Sequence, residues 1–241
     1  MSSMFKGAKS FNRDITTWKV SKVISLKDMF RDARSFNRNL CGSSWVKSKA
    51  TKTGMFIGSS GSISNQACPD NRPLSRPICT STRPTLEKSA ESAGSVERFK
   101  ISSNEQLKIE IAEYLHRSER GDCSDCPQGA IGDWDVSRVT DMSNLFYDAN
   151  MFNGDLSKWD VSSVTNMKQM FMGASSFDRD LTDWDVSKVV DMTSMFANAK
   201  AFNSDISTWD VSKVEIMTAM FSGAEAFDAY DCKVNWGVSV R

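Results

Sequence analysis

Seven aspartates fall into two columns. Asp135, Asp160, Asp185 and Asp210 recur every 25 residues, each directly after a tryptophan, and Asp155, Asp180 and Asp205 recur at the same interval. Carboxylates presented at a fixed interval can do one of two things. Stacked oxygens suit a hard cation such as calcium. Alternatively, each side chain accepts a backbone N–H from its own turn, as in Asx-turns. Like charges about 5 Å apart repel by roughly 0.8 kcal/mol even at the dielectric of water, so something local has to offset the stacking. Turn capping is favoured, because Asp160 can accept from the backbone near Ser162 and Ser163. The calcium reading lacks the Gly-rich Asp motif of calcium β-rolls, and Lys19 replaces the aspartate in the first copies. No metal site is therefore expected.

Other chemistry is sparse. The single histidine, His116, has no Ser or Cys nucleophile motif near it. The stretch "GSSGS" at Gly58 lacks the spacing of a nucleophile elbow. No G-x-G-x-x-G or G-x-x-x-x-G-K-[ST] motif is present. Paired carboxylates occur once per repeat, which no single active site requires. No catalytic residue and no cofactor are expected, and the chain is read as not an enzyme. Cys123 and Cys126 form the only C-x-x-C pair, two ligands short of a structural zinc site. The six cysteines (Cys41, Cys68, Cys79, Cys123, Cys126 and Cys232) avoid the repeated core positions, which fits disulfide staples in an oxidising compartment. The expected bond joins Cys41 to Cys68, with Cys79 as the alternative partner, and Cys123 and Cys126 close a small loop.

What positions these side chains is a 25-residue repeat. "WDVSRVTDM", "WDVSSVTNM", "WDVSKVVDM" and "WDVSKVEIM" begin at Trp134, Trp159, Trp184 and Trp209. Each copy carries apolar residues at fixed offsets. Met142, Met167, Met192 and Met217 form one column, and Phe146, Phe171, Phe196 and Phe221 form another. A fixed period of this length marks a solenoid, in which every copy supplies half of its neighbour's core. Met167, Met170, Phe171 and Ala174 stand at i, i+3, i+4 and i+7, which predicts about two turns of helix. Asp155 to Val164 alternates like extended chain. The expected fold is an α/β solenoid with one short parallel strand and one short helix per coil, in two arrays.

Phe11, Ile15, Trp18, Val20, Val23, Leu26, Met29, Phe30 and Ala33 match the same frame, and Met1 falls on a repeat methionine position. After Leu40 the frame slips, placing Trp45 two residues late. The organisation expected is a first array with a cysteine-containing C-terminal cap over 1–79, a linker over 80–100, a capping helix and loop over 101–130, and a second array over 131–241. Ser103 and Gln106 form a capping box, and Leu107, Ile111, Tyr114 and Leu115 make one apolar stripe over the open edge of the second array. The two arrays are expected to fold independently. The chain is expected to be a fragment at both ends, with a signal peptide upstream and the rest of a second cap downstream.

The residues "WDVS.VT.M..MF..A..FN.D[IL]" resemble the signature of BspA-like leucine-rich-repeat surface proteins, a family that includes a domain of unknown function first described in mycoplasmas. The resemblance spans about residues 1–79 and 131–236. It implies a leucine-rich-repeat-like solenoid at the cell surface that binds a protein or glycan, and it brings no catalytic residues. This sequence places Met, Phe and Trp where leucine-rich repeats use Leu.

Net charge is zero over 241 residues, but the halves differ. Residues 1–100 hold 18 Lys+Arg against 7 Asp+Glu, a net of +11, and residues 101–241 hold 12 against 23, a net of −11. The basic residues are spread through the repeat without aromatic stacking motifs between them, so a solvated face is expected rather than a nucleic-acid surface. No apolar run is long enough to span a membrane. The expectation is thus an extracellular or cell-surface binding or adhesion protein. A structural or matrix spacer is the alternative, and a fragment of a larger enzyme or receptor a third.

Overall fold

The structure, a computed structural model, describes residues 1–65 and 98–228. Within each repeat the chain turns by short hydrogen-bonded corners. Trp159 N–H donates to Leu156 O at 3.1 Å, Val164 N–H to Val161 O at 2.9 Å and Ala174 N–H to Phe171 O at 3.1 Å. Between repeats, the N–H groups of Met167, Gln169, Phe171 and Gly173 donate to the carbonyls of Asp191, Thr193, Met195 and Ala197 at 2.8–2.9 Å. Residues one period apart therefore lie side by side, and each coil is hydrogen-bonded to the next.

The helix expected at Met167–Ala174 is not formed: the segment is a run of turns. An α-helix would direct all its N–H groups along its own axis. Here alternate N–H groups leave the coil for its neighbour, because two residues per coil adopt left-handed backbone. One column is Asn144, Gln169, Ser194, Ala219, Ser3 and Asp28, with φ between 53° and 61°. The other is Asp148, Gly173, Asn198, Gly223, Gly7, Asp32 and Gly58. The apolar spacing i, i+3, i+4, i+7 is equally satisfied by stacked turns, so periodicity did not separate the two. The expected strand is also shorter than the alternation suggests. Asp141, Asn166, Asp191 and Ile216 form a row of single parallel bridges. Among the described residues, only β1 (Asn39–Leu40) and β2 (Ser62–Ile63) extend to two residues, also in parallel.

The second left-handed column carries a packing rule. A Cβ on Gly173 would overlap Asp148 Oδ1, one on Gly223 would overlap Asn198 Oδ1, and one on Gly58 would overlap Asp32 Oδ1. An Asp or Asn in one coil thus occupies the space that a side chain would need in the next. Gly173→Ala is expected to destabilise by about 1–3 kcal/mol through overlap and strained φ. Asp148→Gly in the same chain should recover part of that loss. Denaturant unfolding of the two single variants and the double variant checks this, and strictly additive losses would contradict it.

The core is a set of columns. Trp134, Trp159, Trp184, Trp209, Met142, Met167, Met192 and Met217 are all buried, as are Phe146, Phe171, Phe196 and Phe221. The phenylalanines stack nearly parallel: Phe146–Phe171 at 5.3 Å and Phe171–Phe196 at 5.5 Å between ring centres. Three of these tryptophans also tie two coils together. The indole N–H of Trp159 donates to Ile131 O at 2.8 Å, Trp184 to Leu156 O at 3.1 Å and Trp209 to Leu181 O at 2.9 Å. Trp45 makes the same bond to Ile15 O at 3.0 Å. Its two-residue slip is absorbed by a single helical turn, α1 (Ser43–Val46), so the column continues through what the sequence presents as a break.

The two arrays meet directly, contrary to the expectation of independent units. The coil containing Phe221 stacks on the coil containing Phe5. Ala219, Phe221 and Gly223 N–H donate to Ser2, Met4 and Lys6 O at 3.0, 3.0 and 2.7 Å. Phe221 stacks on Phe5 at 5.8 Å and Phe227 on Phe11 at 6.4 Å. Lys9 pairs with Glu225 at 2.9 Å and Arg13 with Asp228 at 3.3 Å. The order of coils in space is therefore 98–228 followed by 1–65, the reverse of their order in the chain. Sequence reading missed this seam, although Met1 and Phe5 sit in the frame of Met217 and Phe221.

At the opposite edge lies α2 (Asn104–Arg117). Ser103 Oγ accepts Gln106 N–H at 3.1 Å, while Gln106 Oε1 accepts from Ser102 N–H at 2.8 Å. Leu107, Ile111 and Tyr114 are buried, and Tyr114 meets Trp134 edge-on at 5.5 Å. Lys100 bridges Asp135 in parallel, and Asn104 Oδ1 accepts Thr140 N–H at 3.0 Å. Cys123 and Cys126 are bonded to each other. Cys41 is also in a disulfide. Cys68, Cys79 and Cys232 lie outside the described residues.

Candidate binding face

The aspartates that opened the sequence reading serve their own turns. Asp135 Oδ1 accepts from Ser137 N–H at 3.2 Å and from its hydroxyl at 2.7 Å. Asp160, Asp185 and Asp210 Oδ1 accept from Ser162, Ser187 and Ser212 N–H at 3.0 Å each. In the second column, Asp155, Asp180 and Asp205 accept from Ser157, Thr182 and Ser207 N–H at 2.9 Å. Among the described residues, no group of three or more His, Cys, Asp or Glu side chains is placed to hold a metal ion.

Two further polar columns went unnoticed in the sequence. Asp141, Asn166 and Asp191 each cap a turn in the same way, accepting from Ser143, Lys168 and Thr193 N–H. Asn153, Asp178 and Asn203 reach across coils instead, each accepting the N–H of the equivalent residue in the next coil at 2.9–3.1 Å. For the second column the signal was there: positions 153, 178, 203 and 228 hold only Asn or Asp, the mark of a side chain that works as an acceptor.

These bonds hold the carboxyls in their charged form. The hydroxyl and backbone N–H of Ser137 lower the Asp135 pKa below its ordinary value, and those of Ser187 lower Asp185. Backbone N–H bonds from Ser157 and Ser212 do the same for Asp155 and Asp210. A depressed carboxyl contributes stability that is present above its unfolded value, near 4, and is lost as pH falls through the folded value. The thermal midpoint should therefore hold at neutral pH and fall below about pH 4. Asp135→Asn, Asp185→Asn and Asp210→Asn together keep the acceptor but cannot titrate. They should flatten that acid limb, and an unchanged limb would show that these groups do not set it.

Beside the aspartates the exposed residues vary. The position three after each aspartate holds Arg138, Ser163, Lys188 and Lys213, and Lys188 and Lys213 contribute to lowering the Asp185 pKa. In the array of residues 1–65, Lys19 takes the aspartate position and Lys22 the one that follows. His116 is exposed on α2.

The family described as "Mycoplasma protein of unknown function, DUF285" matches residues 1–68 and 120–235. The chain belongs to that family. The matched segments hold the tryptophan and phenylalanine columns and both sides of the seam. No curated protein and no solved structure matches the chain. Among the described residues, no helix is long and apolar enough to cross a membrane.

Proposed function

We propose that the chain is a non-enzymatic, BspA-like leucine-rich-repeat solenoid, extracellular or at the cell surface, that binds a protein or glycan partner and serves adhesion. The observation that carries this reading is a contrast between columns. Core positions repeat almost without change, Trp on Trp and Phe on Phe, whereas the position three after each Asp holds Arg138, Ser163, Lys188 and Lys213, all exposed except the half-buried Ser163. A scaffold that only separates two ends has no use for such variation, while a recognition surface does. Two disulfide-bonded sites, at Cys41 and at Cys123–Cys126, support placement in an oxidising compartment.

The test is capture of cell-surface and extracellular-matrix material on immobilised full-length chain. A parallel capture uses a variant with Arg138→Ser, Lys188→Ser and Lys213→Ser. A partner held by the first and lost by the second supports recognition through this face. Equal capture by both, or none by either, favours the spacer role.

A further inference from the structure

We infer that the adjoining coils of residues 18–27 and 44–52 form a docking surface for a linear anionic polysaccharide. The inference rests on the binding reading above and names the class of ligand. It starts from a broken rule. Four coils place Asp135, Asp160, Asp185 and Asp210 where an Oδ1 caps the turn. At the equivalent position stands Lys19, which has no acceptor to offer the N–H of Ser21. A repeat that gives up a local bond at one copy marks a position held for another purpose.

The exchange also removes a compensating charge. In the coils of residues 131–228, basic side chains lie beside carboxylates: Arg138 and Lys100 near Asp135, Lys188 and Lys213 near Asp185. In the coils of residues 18–27 and 44–52 the neighbours are Lys22, Lys27, Lys47 and Lys49, all exposed. No acidic residue occurs between Asp14 and Asp28 or from Arg34 to Asn65. None of these five lysines forms an ion pair among the described residues. The two coils run side by side through the Ser25–Thr51 bridge and the Thr51 N–H bond to Ile24 O at 3.1 Å. Lys22 and Lys47, one period apart, thus fall in adjoining coils. Ile24, between Lys22 and Lys27 in the chain, has 81% of its surface exposed.

The chemistry of the patch selects among anions. All five exposed cations are lysines, compact point charges rather than the planar forks that read phosphate bidentately; the sixth lysine of these coils, Lys52, is half-buried and donates to Ser48 O. No exposed aromatic accompanies them to stack a base; Tyr147, the one large exposed aromatic among the described residues, is in the other array. One exposed isoleucine is too little to enter a bilayer. What remains is a polymer with regularly spaced sulfate or carboxylate groups and an apolar sugar face for Ile24.

The experiment measures binding of full-length chain to heparin, a sulfated polysaccharide, and to hyaluronate, a carboxylated one, by calorimetry at two salt concentrations. Single-stranded DNA is the third arm. Wild type is expected to bind a polysaccharide with affinity that falls as salt rises. Lys19→Asp restores the residue of the other four coils, so it should leave the thermal midpoint unchanged or raised. Combined with Lys22→Ser and Lys47→Ser it should weaken polysaccharide binding by roughly tenfold or more, a loss of about 1.4 kcal/mol. Lys168→Ser, at an exposed lysine of the other array that takes no part in either face, should change little. The proposal is overturned if wild type binds neither polysaccharide, if the triple variant binds as well as wild type, or if DNA binds as tightly as either polysaccharide. A partner captured through Arg138, Lys188 and Lys213 without polysaccharide binding would leave the binding reading standing and remove this one.

Discussion

Trp184→Ala is expected to cost roughly 3–5 kcal/mol, the range for deleting a large buried aromatic. The side chain does more than fill volume. Its ring stacks on Trp209 at 6.4 Å and lies against Phe171, and its N–H satisfies Leu156 O at 3.1 Å. Truncation opens a gap between coils and leaves that carbonyl buried without its partner. For a chain of this size the thermal midpoint should drop by about 2–4 °C per kcal/mol. Trp184→Phe keeps most of the ring and loses only the N–H bond, so it should cost clearly less. Calorimetric unfolding of both variants separates packing from hydrogen bonding. Equal losses would mean that the bond, not the ring, holds the coils. Asp185→Ala, which removes only exposed bonds within its own turn to Ser187, is expected to cost only about 0.5–2 kcal/mol.

The second large effect concerns the seam. With a protease site introduced within residues 80–97, cleavage is expected to leave the two pieces as one particle on size exclusion, held by the Phe221–Phe5 and Phe227–Phe11 stacks and the main-chain bonds. Lys9→Glu with Arg13→Glu places like charges against Glu225 and Asp228. These pairs are partly exposed and screened, so each contributes modestly, and together the reversals should weaken association of the cleaved pieces by roughly ten- to a hundredfold. Pieces that separate fully without any charge reversal would contradict the seam. Each would then be an independent unit, as the sequence alone suggested.

The contrast between what could and could not be read in the sequence is instructive. Period and burial were legible because they are written as identity: a tryptophan or phenylalanine recurring at 25 residues needs a neighbour of its own kind, and Phe171 does meet Phe196. Turn capping by Asp160 was legible because Ser162 follows it by two. The helix was misread because Met167, Met170, Phe171 and Ala174 satisfy helical spacing and turn spacing alike. The discriminating residues were Gln169 and Gly173, whose left-handed backbone is not encoded by hydropathy. The seam was invisible for a different reason. Nothing in a linear sequence states that Phe221 and Phe5, near opposite ends, share one stack. For the proposed binding face, the sequence showed Lys19 as an exception in a column. The structure added which neighbours it keeps and which carboxylates it lacks.

The seam also sets an order of events. Neighbouring coils elsewhere are about 25 residues apart in the chain, whereas Arg13 and Asp228 are separated by 215. Closing the longer loop costs about 2 kcal/mol more in chain entropy, so folding should propagate within each array first and join them last. During synthesis the imbalance is sharper. The face of the Phe5 coil that will meet Phe221 emerges more than 200 residues before its cover. At roughly 5–20 residues per second, it waits on the order of 10–40 s on the ribosome. Until residues 219–223 are made, Met4 and Phe5 lack the main-chain and ring partners that those residues give them in the folded chain.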